Sequence, residues 1–270
     1  MGQRERVEYH FYCPPGVQCV LACGSSAFIG EVDDSTILKY PLEPGGDLTR
    51  LDLEHQILTV VGRHPHIIGH KGFTEIGLYL ERAVNGTIFK YLTASDFPAP
   101  SLQQRLAWCR ELSEAVEHVH SKRVIHCDIQ PTNVLVDQNA HLKLADFQGR
   151  HLSEDGNILL DGWVSEPCRY FCPRYDEFAA NFKTDIFALG CTIYFIMTGQ
   201  EVFSDIVSGE AGWDDEVKSR FARGDFPRDS SACAAITHKC WMQLYNSAGE
   251  VLNDIKAVEQ GLEQGFSQRT

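Results

Sequence analysis

The sequence predicts an α+β chain in two lobes, a small lobe of short strands with one helix and a larger lobe that is mainly helical. Three observations carry this reading. Over the first 80 residues, short apolar segments alternate with Gly, Ser and Asp turns. From about residue 100 the apolar spacing becomes helical. Residues 185–199 are almost wholly apolar, which implies a helix buried on all sides. A chain of 270 residues, 43% apolar and 23% charged, suits one large domain or two lobes of one unit with a sizeable core.

In chain order, residues 17–21 and 30–32 read as strands separated by a Gly/Ser turn. Asp33, Asp34 and Ser35 supply the next turn, and residues 36–40 form a third strand. Alternation puts Ile37 and Lys39 on one face of it and Leu38 and Tyr40 on the other. The loop 44–47 ends in a helix cap, and Leu51, Glu54 and Leu58 recur at helical spacing up to Val61. The lobes meet near residues 80–83. Ser101 with Gln104 reads as a capping box. Leu102, Leu106, Cys109, Leu112, Val116 and Val119 form one apolar stripe. Two short strands, 134–136 and 142–144, bracket a turn at Gln138 and Asn139. Residues 150–175 lack periodicity and are rich in Ser, Asp, Gly and Cys, so they read as one long loop. Further helices begin near Trp213, Ala232 and Ser247.

Acidic residues outnumber basic ones by 37 to 24, a net charge of −13. That disfavours nucleic acid as a partner, because binding it needs a basic footprint. The 10 cysteines are scattered, with no CxxC pair and no zinc spacing, and Cys191 and Cys240 read as core hydrophobes. Residues 1–10 are polar and charged, unlike a secretory leader, and the longest apolar run, 186–197, is too short to span a bilayer. The expectation is a chain with no membrane partner and with free thiols, in the cytosol or nucleus.

The chemistry concentrates in residues 124–149. Asp128 and Asn133 stand five residues apart between hydrophobic segments, and Asp146 follows Asn133 by thirteen, just before Phe147, Gln148 and Gly149. Oxygen ligands of this kind suit Mg²⁺, and phosphoryl transfer needs a carboxylate that orients the acceptor hydroxyl. Lys39 sits mid-strand, where an unpaired ammonium is expensive to bury. Glu54, fifteen residues on, is the candidate partner.

From residue 17 to 255 this pattern resembles the eukaryotic serine/threonine protein kinases. His126, Cys127, Asp128 and Asp146, Phe147, Gln148, Gly149 make it most similar to divergent kinase-like proteins of filamentous fungi. The segment His64, Pro65, His66, Ile67, Ile68 and the Asp185 helix add to the likeness. The resemblance implies a bilobal kinase fold, with an antiparallel sheet in the small lobe, ATP and Mg²⁺ as cofactors and a protein hydroxyl as acceptor. It implies that Asp128 orients that hydroxyl and takes its proton, and that Asn133 and Asp146 hold the metal. Lys39 contacts the α- and β-phosphates with Glu54 as its partner. Gly24, Ser25 and Ser26 cover the phosphates. Leu80 lines the back of the adenine pocket, and Glu81 and Ala83 offer it backbone hydrogen bonds. Asp185 holds the backbone around His126 and Cys127. The implied units are an N-terminal extension (1–16), a small lobe (17–80), a hinge (81–84), a large lobe (85–258) and a tail (259–270), in a monomer whose protein substrate is unidentified.

Several positions depart from the family pattern. Cys127 replaces an Arg that pairs with a phosphorylated activation loop, so activity is not expected to require that phosphate. Gln130 replaces a Lys that touches the transferred phosphate, which exchanges a charged donor for a neutral amide and slows transfer. Gln148 stands in the place of a Gly, with Gly149 one residue late, and Ser26 and a displaced Gly30 weaken the glycine loop. Arg174 follows Cys172 and Pro173 where a Glu is usual, and Tyr245 stands near the place of that Glu's Arg partner. Two other readings stay open: a pseudokinase serving as a nucleotide-binding scaffold, and a small-molecule phosphotransferase similar to aminoglycoside or choline kinases.

Overall fold

The structure, a computed structural model, describes residues 12–267, with side chains described to residue 264. Residues 1–11 of the expected extension and 268–270 of the expected tail lie outside the described residues. Strands β1 (Cys19–Cys23), β2 (Ala27–Asp33), β3 (Thr36–Pro41), β4 (His70–Thr74) and β5 (Gly77–Glu81) form one antiparallel sheet in the order β1-β2-β3-β5-β4. Helix α1 (Thr49–Val61) packs on β4 and β5. The cap expected at the loop end is displaced: Leu48 takes the N-cap position with no side-chain bond, and Asp47, one residue earlier, accepts the Thr49 N–H at 2.9 Å and the Thr49 hydroxyl at 2.6 Å.

β1 begins two residues later than expected, and β2 reaches back to Ala27. The Gly24 N–H closes the intervening turn onto the Ala27 carbonyl at 2.9 Å. Gly30 lies inside β2, where a Cβ would come within 2.5 Å of Val17 and 3.0 Å of Tyr40. It serves strand packing rather than the loop tip. In β3 the expected alternation holds. Leu38 and Tyr40 are fully buried beside Phe28 in a small outer cluster, while Ile37 and Lys39 line the cleft between the lobes.

The second lobe is built on α3 (Leu102–Ser121) and α4 (Phe182–Thr198), with α6 (Ala234–Trp241) packed on α4 and α7 (Ala248–Ser267) on α3. α2 (Ile88–Thr93) and α5 (Trp213–Arg223) complete the helices. The Gln104 N–H donates to Ser101 Oγ at 3.1 Å, so Ser101 caps α3, but the expected box is only half made, because Gln104 Nε2 donates to the Ala140 carbonyl at 3.2 Å. The stripe from Leu106 to Val119 is buried; Leu102, in the first turn, stays exposed. α4 starts earlier than expected because Asn181 caps it in a box with Thr184. That leaves Asp185 one turn inside the helix, free for another task. Residues 184–197 are buried throughout, as the apolar run implied.

The long loop expected over residues 150–175 is corrected in part. β9 (Arg150–Leu152) pairs with β6 (Val124–Ile125) and with β10 (Ile158–Asp161) in a three-stranded sheet. The Ser153 N–H closes the β9–β10 turn onto the Asn157 carbonyl at 2.8 Å. Strands this short carry no readable alternation; backbone pairing and the Arg150–Asp161 ion pair hold them. β7 (Val134–Val136) and β8 (Leu142–Leu144) have the expected bounds, and Asp137 Oδ1 closes their turn on the N–H groups of Asn139 and His141. Among the described residues no helix is long and apolar enough to cross a membrane.

Candidate active site

The two lobes enclose a cleft of about 620 Å³. Its roof carries Gly24, Ser25 and Ser26 between β1 and β2, and its back wall carries Lys39, Leu80, Glu81 and Ala83. Asn133 and Asp146 form the floor, and Glu54 reaches in from α1. Asp128 and Gln130 are not among the lining residues; they join the site through Asn133.

Lys39 organises the first half of the site. Its Nζ lies 2.7 Å from Glu54 Oε2 and 2.6 Å from Asp146 Oδ1. β3 presents Lys39 inward because the neighbouring Leu38 and Tyr40 take the opposite face. Glu54 is fully buried, and burial pushes its carboxyl up against the pull of Lys39. Burial also disfavours the Lys39 ammonium, but Glu54 and Asp146 together outweigh it and hold the group above its ordinary value. Burial pushes Asp146 up too, yet the Lys39 charge and hydrogen bond win and hold it below the usual carboxylate range. The Glu54 Oε1 oxygen accepts the Phe147 N–H at 3.3 Å, which ties α1 to the backbone next to Asp146.

Asp128 organises the second half. Gln130 Nε2 donates to its Oδ1 at 2.6 Å and Asn133 Nδ2 to its Oδ2 at 2.7 Å. Asn133 Nδ2 also reaches the Asp128 carbonyl at 3.0 Å. Burial, and next the Asp146 charge, push the Asp128 carboxyl up to about 7 against those two amide bonds.

Asp185 holds this loop from below. The His126 N–H donates to its Oδ2 at 2.7 Å and the Cys127 N–H to its Oδ1 at 2.9 Å. His120 Nε2 lies 3.0 Å from the same Oδ2. This grip matters because Cys127 takes a φ of 63°, a conformation that side-chain-bearing residues rarely adopt. Asp146 does the same at 67°. Gly149 packs against the catalytic loop so closely that a Cβ would run into the Ile125 and His126 carbonyls.

Three contacts at the site had no sequence signal. Gln148 Nε2 donates to Asp146 Oδ1 at 3.1 Å. Glu166, with a side chain of 0% exposure, pairs with Arg174 at 2.7 Å. Thr192, inside α4, donates to the Ile129 carbonyl at 3.3 Å. All three are long-range or loop-borne contacts, which no local pattern records.

Asp146 and Asn133 fit a magnesium ion by donor type. Asn133 commits its amide nitrogen to Asp128, which turns the amide oxygen away as a free acceptor. Lys39 and Gln148 both donate to Asp146 Oδ1, which leaves Oδ2 for a cation. Among the described residues no three His, Cys, Asp or Glu side chains cluster to hold a metal ion. Mg²⁺ sites of this kind take one or two carboxylates and complete the shell with phosphate and water.

The chain belongs to the protein kinase family: the family model of the protein kinase domain matches residues 42–246. Among curated proteins it is similar to the serine/threonine-protein kinase RUNKEL of Arabidopsis thaliana, 31% identical over 147 residues, 52% of this chain and 10% of that protein. It is likewise similar to the serine/threonine-protein kinase SIK2 of Gallus gallus, 31% identical over 172 residues, 61% of this chain and 21% of that one. The serine/threonine-protein kinase Nek1 of Mus musculus is 27% identical over 209 residues, 76% of this chain and 16% of that protein. The matches therefore cover no more than about a fifth of these three relatives' own lengths.

Proposed function

We propose that this chain is an ATP-dependent protein serine/threonine kinase that moves the γ-phosphate of Mg-ATP to a protein hydroxyl. The observation that carries the reading is the Lys39 ammonium held between Glu54 and Asp146, in a cleft whose floor residue Asn133 donates to Asp128. In this reading Lys39 binds the α- and β-phosphates, and Glu54 keeps it in place. Asn133 and Asp146 hold Mg²⁺, which when bound neutralises charge on the β- and γ-phosphates. Gly24, Ser25 and Ser26 cover the phosphates. Leu80 packs against adenine, and the Glu81 and Ala83 backbone hydrogen-bonds to it. The Ala83 N–H has no protein acceptor among the described residues, as a group reserved for a ligand requires. Asp128 orients the acceptor hydroxyl and takes its proton. Residues 17–80, 81–84 and 85–258 act as small lobe, hinge and large lobe of one monomer.

One observation favours a second reading, a nucleotide-binding scaffold. Gln130 occupies Asp128 Oδ1 at 2.6 Å, the oxygen an acceptor hydroxyl would approach. A neutral amide there also supplies less transition-state stabilisation than an ammonium. Titration with Mg-ATP beside a phosphotransfer assay separates the two. Binding with transfer supports the kinase; binding without transfer supports the scaffold; no binding overturns both.

A further inference from the structure

We infer that the Glu166–Arg174 ion pair positions the activation segment, residues 150–181, against the catalytic loop, so that the acceptor surface stands assembled without a phosphate. This rests on the kinase reading above and adds the means by which the segment is held.

The segment contains three cationic residues, and each already faces a carboxylate. Arg150 Nε lies 3.1 Å from Asp161 Oδ1, and Arg150 also donates to the Phe178 carbonyl. Arg169 lies 3.7 Å from Glu201 and donates to the carbonyls of Val202, Phe203 and Ile206. Arg174 Nη2 lies 2.7 Å from Glu166 Oε2. The first ties the β9–β10 hairpin to residue 178, the second ties the segment to the stretch after α4, and the third closes the segment on itself. In the catalytic loop the residue before Asp128 is Cys127, fully buried and uncharged, so no cation waits there for a phosphate. Burial pushes its thiol up, which keeps it neutral.

Glu166 is the pin. Its side chain is wholly buried, and among the described residues its Oε1 has no hydrogen-bond donor and Arg174 is its one ion-pair partner. A buried carboxylate with a single counter-charge depends on that charge strongly. Arg174 is itself immobilised. It donates to the Cys172 carbonyl at 3.1 Å and to the Glu177 carbonyl, and its guanidinium lies 4.2 Å from the Phe171 ring centre. Removing either partner therefore loosens the segment around Glu166 and Arg174, while Arg169 keeps its own anchor on the stretch after α4. Tyr170 and Cys172 stay packed in the large-lobe core, so the loosening is local to the segment's surface and the fold persists.

The test combines two readouts on the full chain: hydrogen exchange of residues 150–181, and phosphate transfer from Mg-ATP. Protein before and after phosphatase treatment is compared with Arg174→Met, Glu166→Gln and Arg174→Lys. We expect phosphatase treatment to change neither readout by more than about twofold. Arg174→Met and Glu166→Gln should raise exchange in 163–178 and lower kcat roughly tenfold or more with the KM for ATP unchanged, since the nucleotide cleft is untouched. Arg174→Lys, which keeps the charge, should fall between. Phosphatase treatment that loosens the segment overturns the inference, and so do Met and Gln variants that exchange like the parent. If no form transfers phosphate, the kinase reading fails, and the exchange data still decide whether the pair holds the segment.

Discussion

Gln148 Nε2 donates to Asp146 Oδ1 at 3.1 Å, beside the 2.6 Å contact of Lys39 with the same oxygen. A glycine at this position would leave that oxygen to Lys39 alone. The amide draws charge from the carboxylate whose other oxygen is left for a cation, and so weakens that oxygen as a ligand. We expect Gln148→Ala to tighten Mg-ATP binding by about 1 kcal/mol, the scale of one neutral hydrogen bond, with little change when the metal is chelated. Calorimetric titration with and without chelator measures both.

Lys39 neutralises a fully buried Glu54. Lys39→Met should destabilise the fold by ~3–5 kcal/mol, the cost of stranding a buried charge. Adding Glu54→Leu should recover part of that stability without recovering nucleotide binding. Denaturant unfolding of the single and double variants, beside ATP titration, checks both parts.

Asp185 accepts two backbone N–H groups at 2.7 and 2.9 Å and fixes the unusual backbone at Cys127. In Asp185→Asn the amide nitrogen faces one of those donors. The expected cost is about 1–3 kcal/mol of stability, the penalty for a buried group left unpaired. Transfer should fall further than nucleotide binding, because Asp128 rides on this loop while the cleft walls do not. Unfolding curves and paired binding and transfer assays test this.

The Asp128 carboxyl, at about 7, sits above its ordinary value of 3.8. A raised carboxyl contributes stability that is full below the ordinary value and is lost as pH rises through the folded one. Unliganded protein should therefore lose stability between pH 4 and 7 from this group. Asp128→Asn cannot titrate, so its melting temperature relative to the parent should be higher at pH 8 than at pH 5. A difference that is flat across this range would show that Asp128 is not displaced upward. Transfer should rise with pH over the same window, since the base must be unprotonated.

Much of the fold was legible where the pattern repeats. β3 alternates over enough residues to assign the Lys39 face, α1 places Glu54 at helical spacing, and the buried α4 is visible as an apolar run. Asp128, Asn133 and Asp146 stood out by spacing, and the structure brings them together around one cleft. What stayed hidden depends on partners far apart in the chain or on elements too short to show a period. The β9–β10 hairpin is held by backbone pairing, and α2 has only six residues. Arg174 stands where the family's ion pair has its Glu, and it pairs instead with Glu166, eight residues earlier in a loop with no periodicity. Gly30 looked like a displaced phosphate-loop glycine, whereas its surroundings at Val17 and Tyr40 require a small residue for packing.

The most direct test is transfer of labelled γ-phosphate from Mg-ATP to the chain itself and to a generic basic protein, beside Asp128→Asn. The account expects labelling by the parent that falls to background in the variant, while both bind nucleotide. A folded parent that binds Mg-ATP and labels neither protein, or a variant that labels as well as the parent, would contradict it.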